Sequence, residues 1–236
     1  MKAAVRANVV AVAVLIALIA AFAGLASNVL EAETDTIDHA ILMALRSADG
    51  TNPIGPAWLE RGIVNLSALG STSVTVLIIV LASVFLLLDR RPRQAMLVIA
   101  TTASAGFILL LLKTSIGRER PSIVKHIDIA GGLSFPSGHT LLAAVLYPTL
   151  GMLIASNLRG RHLKIFVFAV AALLALVVGL TRVYIGVHYP TDVLGGWCLG
   201  VAVSIGAGLA IGKLKKEGIV ERPKGETSGE EVGPIP

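Results

Sequence analysis

The chain has 236 residues, of which 55% are hydrophobic and 15% charged, and its mean hydropathy is +0.81. This composition is typical of an integral membrane protein and argues against a soluble domain. The net charge of +5 comes from short basic clusters between apolar runs. Membrane topology accounts for such clusters better than nucleic-acid binding does, so we expect no nucleic-acid partner. The one cysteine, Cys198, excludes a disulfide framework.

The first apolar run covers residues 5–26. The apolar core of a secretory signal is usually about 7–15 residues long. Because this run is longer, we interpret it as a membrane span, with a cleaved signal peptide as the alternative. In either case the next segment starts outside.

Residues 31–69 are mixed in character. Helical spacing predicts an amphipathic helix at the outer membrane surface, with an apolar face formed by Ile37, Ala40, Ile41, Ala44 and Leu45. A turn-rich break at 50–56 and a second short helix around Ile63 follow. We interpret this segment as a membrane-surface lid, with partner binding as the alternative.

Five further apolar runs approach the roughly 20 residues that cross a bilayer, at 71–88, 94–112, 138–157, 165–181 and 192–212. The sequence therefore predicts an all-α, polytopic membrane bundle with about six transmembrane helices and an outer amphipathic segment. We expect one membrane-embedded domain, 1–216. A disordered cytoplasmic tail is expected at 217–236, which is rich in Glu, Gly and Pro.

The lysines and arginines divide unequally between the two membrane sides. The richer side holds eleven: Lys2, Arg6, Arg90, Arg91, Arg93, Arg159, Arg161, Lys164, Lys213, Lys215 and Lys216. The other side holds seven: Arg46, Arg61, Lys113, Arg118, Arg120, Lys125 and Arg182. The positive-inside rule places the richer side, with both termini, in the cytoplasm. We expect a bacterial inner (plasma) membrane protein.

Two polar clusters stand at the outer ends of the third and fourth spans. The first runs from Lys113 to Pro121; Lys113 alone would be read as a snorkelling lysine, but Arg120 comes with the second cluster. That cluster, residues 135–139, opens a helix at Ser137, a predicted N-cap. Free backbone N–H groups at a helix start form an anion site, and His139 in the first turn is placed to donate a proton.

The third cluster, residues 181–192, lies between two apolar runs. Arg182 offers a planar fork for phosphate oxygens, and His188 is a candidate nucleophile or base. A helix beginning near His188 would put Asp192 one turn away, where it can accept from the ring. Small residues recur every four positions after Asp192 and predict a closely packed face: Gly196, Gly200, Ser204, Gly208 and Gly212.

A metal site is the alternative for His139, His188 and Asp192, since zinc accepts two histidines and a carboxylate. Three nearby cations, at Lys113, Arg120 and Arg182, would repel a divalent ion and suit a tetrahedral oxyanion instead. We therefore expect no metal and no other cofactor.

These motifs resemble the type 2 phosphatidic acid phosphatase family. They are a lysine followed after six residues by Arg-Pro, then Pro-Ser-Gly-His, then an arginine, five residues, a histidine, three residues and an aspartate. The third motif often begins Ser-Arg in the family and here reads Thr181-Arg182, which keeps the hydroxyl. Soluble vanadate-dependent haloperoxidases share such a site, but the apolar spans do not fit them.

The resemblance implies a role for each matched residue. Phosphate would be held by Lys113, Arg120, Ser137, Gly138 and Arg182. His188 would attack phosphorus and form a phosphohistidine, and Asp192 would orient it. His139 would protonate the leaving oxygen. Since one histidine must be neutral and the other charged, we expect a bell-shaped pH profile.

The implied activity is a metal-independent membrane lipid phosphatase with its site on the periplasmic or extracellular side. Candidate substrates are undecaprenyl pyrophosphate, phosphatidylglycerophosphate and phosphatidate. The alternatives are a lipid phosphotransferase with the same site and a non-enzymatic binder of anionic headgroups. The motifs do not distinguish the substrates, and the sequence predicts no oligomeric state.

Overall fold

A computed structural model describes the backbone of residues 2–48, 50, 52–128 and 131–216, and side chains between residues 5 and 213 of these ranges. The predicted disordered tail, 217–236, lies outside the described residues. Within them the chain forms eight α-helices and no β-strand, which confirms the all-α fold. The helices are α1 (Lys2–Leu30), α2 (Asp35–Ala44), α3 (Ala57–Ser67), α4 (Thr72–Leu88), α5 (Pro92–Ile116), α6 (Gly138–Ser156), α7 (Arg161–Ile185) and α8 (Pro190–Lys216).

Five of the described helices are long and apolar enough to cross a membrane: α1, α5, α6, α7 and α8. A sixth span forms if α3 and α4, which meet at a bend of 48°, are taken together. The bend follows a 3-10 turn, Ala68–Gly70, after which the Ser71 side chain accepts a hydrogen bond from Val74 N and starts α4. The predicted bundle of about six spans is confirmed.

Helices α5 and α7 extend beyond the ends of the predicted apolar runs to a glycine. Helix α5 continues to Ile116 and stops at Gly117, whose φ is 68°. Helix α7 continues to Ile185 and stops at Gly186, whose φ is 87°. A left-handed residue ends a helix with little strain when it is glycine. Hydropathy ends a run at the first polar residue, whereas the backbone continues to the glycine, so Arg182 lies inside a helix and not in a loop.

Helix α6 occupies the centre of the bundle, packed against α5, α7 and α8. The predicted small-residue face of α8 makes this contact possible. A methyl group at Gly200 would lie 2.6 Å from Ala144 Cβ and 2.8 Å from the carbonyl oxygen of Leu141. The Ser204 hydroxyl donates to Ala144 O. Gly212 departs from the pattern, because among the described residues nothing lies within 4 Å of its would-be Cβ.

Helix α2 turns an unexpected face toward the bundle. Its predicted apolar face is exposed on the protein, with Ile37 63% and Ile41 41% accessible. The buried residues of α2 are Asp38 and Leu42. The helix was predicted correctly, but it contacts the protein through a carboxylate as well as through Leu42, which packs against Val183 and Val193.

Replacing Gly200 by alanine should destabilise the fold by about 1–3 kcal/mol, because the added methyl group meets backbone atoms that cannot rotate away. Gly206→Ala is the matched control in the same helix, where nothing described lies within 4 Å of the added atom. Thermal unfolding in detergent measures both. Equal unfolding midpoints for the two variants would contradict the proposed close contact.

Candidate active site

The centre of the site is a buried pair, His188 and Asp192. His188 lies between the end of α7 and Pro190, which begins α8. Its Nδ1 is 3.2 Å from Asp192 Oδ2. The same carboxylate oxygen accepts a hydrogen bond from Tyr189 N at 2.9 Å. Both side chains are buried, with His188 1% and Asp192 0% exposed.

The neighbours of the His188 ring determine its tautomer. Arg120 Nη1 lies 3.1 Å from His188 Nε2. A guanidinium only donates hydrogen bonds, so Nε2 must accept and the ring proton belongs on Nδ1. That proton is donated to Asp192. The Nε2 lone pair therefore faces the Arg120 cation. An anion bound to this cation would lie next to the nucleophilic nitrogen of His188.

Burial lowers the pKa of His188 to about 4. The Asp192 carboxylate acts in the opposite direction by favouring the charged ring, while the positive charges of Arg120 and Arg182 lower the pKa further. His188 is thus neutral at pH 7. A neutral imidazole whose Nε2 carries the lone pair is the nucleophilic form.

Arg120 also joins two loops. Its Nε donates to Gly132 O at 3.0 Å and its Nη2 to Gly131 O at 2.9 Å. Its Nη1 additionally donates to Val187 O at 2.7 Å, next to His188. Burial lowers the pKa of Arg120, with Asp192 acting against the shift.

Lys113 and His139 approach the same place from α5 and α6. Lys113, in the last turn of α5, donates from Nζ to Leu133 O at 2.5 Å. His139 lies half-buried in the first turn of α6. It interacts electrostatically with four groups of the site: Arg182, His188, Arg120 and Lys113.

Arg182 brings a largely buried guanidinium from α7. Its Nη1 donates to Ser67 Oγ at 2.8 Å and lies 3.9 Å from Asp128 Oδ2. Its Nε is buried and has no hydrogen-bond partner among the described residues. A buried donor of this kind costs free energy unless something accepts from it. A bound oxyanion would supply that acceptor.

The predicted capping role of Ser137 is wrong. Ser137 is the N-cap residue of α6, but among the described residues its side chain accepts from Thr140 Oγ1 at 2.9 Å instead of from a backbone N–H. Its backbone N–H donates to Asp192 O at 3.0 Å. Ser137 and Gly138 therefore begin α6 directly beside the His188–Asp192 pair. The first N–H groups of a helix lack intrahelical acceptors and favour an anion there.

The metal alternative fits the donor set poorly. Asp192 Oδ2 already accepts from His188 and Tyr189, and Asp192 Oδ1 accepts from Arg118 Nη1 at 2.8 Å. Each carboxylate oxygen thus faces a hydrogen-bond donor.

Arg118 has no role predicted from the sequence, although the structure places it against the Asp192 carboxylate. Gly117 ends α5, and residues 118–120 continue without helical structure. Side chains two apart in extended backbone share a side. Arg118 reaches Asp192 while Arg120 reaches His188. The Arg-x-Arg spacing after a helix-ending glycine was the available signal.

Known proteins resemble this chain in sequence and in fold. The family model described as the PAP2 superfamily matches residues 94–215, which include every predicted site residue. Phosphatidylglycerophosphatase B of Bacillus subtilis is 32% identical over 146 residues, 61% of this chain and 71% of that protein. Decaprenylphosphoryl-5-phosphoribose phosphatase of Mycobacterium tuberculosis is 31% identical over 177 residues, 72% of this chain and 90% of that protein.

A solved structure is also similar. It is the crystal structure of the first transmembrane PAP2 type phosphatidylglycerolphosphate phosphatase from Bacillus subtilis. The TM-score is 0.78 at 28% identity, and the match covers 86% of this chain and 98% of that chain. The similarity therefore includes nearly the whole of the solved structure.

Acid should destabilise the protein through His188. An unfolded imidazole takes up a proton near pH 6.5, whereas the folded state holds His188 neutral to about pH 4. The stabilising contribution of this difference is complete above pH 6.5 and is lost as the pH falls toward 4. From pH 7 to pH 5, the unfolding midpoint of the wild type should fall further than that of His188→Gln. Equal decreases would contradict the lowered pKa.

Proposed function

This chain belongs to the PAP2 superfamily and is a membrane lipid phosphatase, and we propose that it acts through a phosphohistidine on His188 without a divalent metal. The observation that carries this proposal is the orientation of His188. Its Nδ1 is held by Asp192, and its Nε2 lone pair faces Arg120. The ring has the protonation state and direction that attack on phosphorus requires.

In the first step, Nε2 of His188 attacks phosphorus, and the bond from phosphorus to the lipid oxygen breaks. His139 gives its proton to that leaving oxygen, and Asp192 stabilises the ring through Nδ1–H. In the second step, neutral His139 takes a proton from water, whose oxygen attacks phosphorus and breaks the P–N bond. Free phosphate leaves, and both histidines return to their starting states.

The phosphate oxygens are held by fixed cations and backbone donors. Lys113, Arg120 and Arg182 carry the charge, and the Ser137 side chain and the Gly138 N–H lie at the start of α6. The unpartnered buried Nε of Arg182 supports this assignment. Preorganised cations neutralise the oxygens as charge develops, which is the largest contribution to catalysis in many enzymes. Three cations supply the charge that a metal would otherwise provide.

The substrate class is a phosphate or pyrophosphate ester of a membrane lipid. The relative from Bacillus subtilis is named for phosphatidylglycerophosphate, and the one from Mycobacterium tuberculosis for a decaprenylphosphoryl sugar phosphate. These names share a phosphate group on a lipid. For this chain we propose undecaprenyl pyrophosphate, phosphatidylglycerophosphate and phosphatidate as the substrates to compare.

The protein is integral to the membrane, and we place its site on the outer side. The site is assembled where α5 and α7 end and α6 and α8 begin, at one end of the bundle. The opposite helix ends carry basic clusters at 90–93 and 159–164, which the positive-inside rule assigns to the cytoplasm. Intact cells should therefore release phosphate from a short-chain lipid phosphate supplied outside. Release only after lysis would reverse this orientation.

Removing His188 should abolish turnover. With excess EDTA, wild-type protein in detergent should release phosphate from at least one of the proposed lipids, and His188→Ala should lose about 10⁴-fold or more in kcat, as loss of a covalent nucleophile does elsewhere. His162→Ala, at the cytoplasmic start of α7, is the control and should retain wild-type activity. Rapid quenching with a radiolabelled phosphate ester should label the wild type with an acid-labile phosphate.

Two results would contradict the mechanism. One is undiminished turnover by His188→Ala. The other is wild-type enzyme that is inactive in EDTA and recovers with an added divalent metal, which would favour the metal alternative.

An apolar groove of about 620 Å³ between α2, α3, α7 and α8 suits the hydrocarbon of the substrate. Its wall includes Thr181 and Val183 on either side of Arg182, and Val193 next to Asp192. The groove also contains residues of α2 and α3, the segment that the sequence suggested as a lid. We propose that the lipid chain lies here while its phosphate reaches His188.

Filling the groove should impair the hydrolysis of lipid substrates but not that of soluble substrates. Leu180→Trp should raise KM for a long-chain lipid phosphate and leave hydrolysis of a soluble aryl phosphate unchanged. Leu176→Trp is the control, because Leu176 is exposed on α7 but is not among the described groove residues. Equal effects of Leu180→Trp on both substrates would show that the groove does not hold the lipid chain.

A further inference from the structure

We propose that Arg118 and Asp38 are positioning residues for catalysis, and that outer helix α2 holds the catalytic carboxylate through them. The chain of contacts runs from Asp38 on α2, through Arg118, to Asp192 at the start of α8. This inference rests on the proposed function, since it concerns the group that orients His188.

The Arg118 guanidinium bridges two buried carboxylates. Its Nη1 donates to Asp192 Oδ1 at 2.8 Å, and its Nη2 donates to Asp38 Oδ2 at 2.7 Å. The guanidinium also stacks on the Tyr189 ring, with its central carbon 4.1 Å from the ring centroid. A planar fork with two donor edges can hold two acceptors in fixed relation, which a lysine cannot do.

Asp38 is anchored to the start of α8 independently of Arg118. Its Oδ1 accepts from Thr191 N at 3.0 Å, and its Oδ2 accepts from Thr191 Oγ1 at 2.5 Å. The same hydroxyl accepts from Arg118 Nη1 at 2.7 Å. Thr191 N–H is one of the first-turn donors of α8, so Asp38 caps this helix from a position 153 residues earlier.

Because Asp38 is buried, its contacts with Arg118 and Thr191 are needed to offset the loss of water around its carboxylate. Asp38 is 0% exposed and lies on the same buried face of this short helix as Leu42. Taking a carboxylate out of water is costly unless it is paired and hydrogen-bonded. Asp38 meets both conditions, and the pairing reaches the active site through one arginine.

Arg118 acts on the opposite side of the pair from the phosphate. Arg120 lies against Nε2 of His188, whereas Arg118 lies against Asp192 Oδ1. Without Arg118, that oxygen would lose its charged donor, and of the described donors besides His188 only Tyr189 N would still hold the carboxylate in its orientation toward Nδ1. We therefore expect an effect on kcat through the His188 tautomer and little effect on KM.

Burial opposes the charge of Arg118, but Asp192 and Asp38 together outweigh it and raise its pKa, so the bridge stays charged across the working pH range. Several titratable or charged groups face the pair: Asp35 and Asp38 of α2, Lys113 of α5, Arg118 and Arg120 of the following loop, His139 of α6, Arg182 of α7, and Tyr189. Substitutions at Arg118 and Asp38 change one of these groups at a time, or both together.

The test compares Arg118→Gln, Arg118→Lys, Asp38→Asn and the double variant Arg118→Gln/Asp38→Asn, with rates normalised to folded protein. Each single variant should lower kcat about 10- to 100-fold with KM nearly unchanged, since small displacements of a catalytic group cost that much. The kcat of the double variant should be no lower than that of the less active single variant, because both substitutions break the same series of contacts. Glu33→Gln, an exposed carboxylate just before α2, should behave as wild type.

The pH profile separates positioning from stability. Arg118→Gln removes a cation beside Asp192. Loss of this positive charge favours the protonated ring of His188, so the acid limb of the kcat/KM profile should move to higher pH. Arg118→Lys keeps the charge, so its acid limb should stay in place while kcat remains low.

An unchanged kcat in normalised Arg118→Lys and Arg118→Gln would overturn the inference, as would multiplicative losses in the double variant. A rise in KM with constant kcat would also overturn it and would assign Arg118 to phosphate binding. His188→Ala, measured alongside, keeps the two proposals apart. Turnover without His188 rejects the phosphohistidine, whereas an inactive His188→Ala with wild-type kcat in Asp38→Asn rejects the positioning chain alone.

Discussion

The carboxylate of Asp192 is the group on which the rest of the site depends. It is buried at the start of α8, where an unpaired charge would be prohibitively unfavourable. Its oxygens accept from His188, Tyr189 and Arg118, and its backbone carbonyl accepts from Ser137 N. One residue therefore fixes the histidine ring, the loop after α5 and the start of α6, so the separate polar segments hold a single geometry.

The bundle accommodates this polar centre because the charged groups meet at one end of the helices. Close contact between α6 and α8 sets the spacing. Gly200 lies against the backbone of α6 at Leu141, and one turn nearer the site Gly196 lies against Thr140 and the carbonyl of Ser137. Larger residues there would separate the helices and with them the two halves of the site. Packing of small side chains in the apolar layer thus determines distances in the polar one.

Helix α2 has an exposed apolar face and a buried polar contact. Ile37 and Ile41 are exposed, whereas the buried Asp38 faces inward to Arg118 and Thr191. The same helix contributes Ile41 and Leu45 to the apolar groove. The segment predicted as a membrane-surface lid therefore contributes to the groove proposed for the lipid and contacts the arginine that pairs with Asp192.

The sequence by itself determined the spans, their order and the three polar motifs, because apolar length and residue spacing are local properties that a helix preserves. It also determined the small-residue face of α8 and the meeting of His188 with Asp192, four residues apart. Only the tertiary structure decided which charges are buried and what they contact. Asp38 and Thr191 are 153 residues apart, and the Ser137 hydroxyl meets Thr140 instead of a backbone N–H. Burial and hydrogen-bond partners arise where distant segments pack, and no local pattern encodes them.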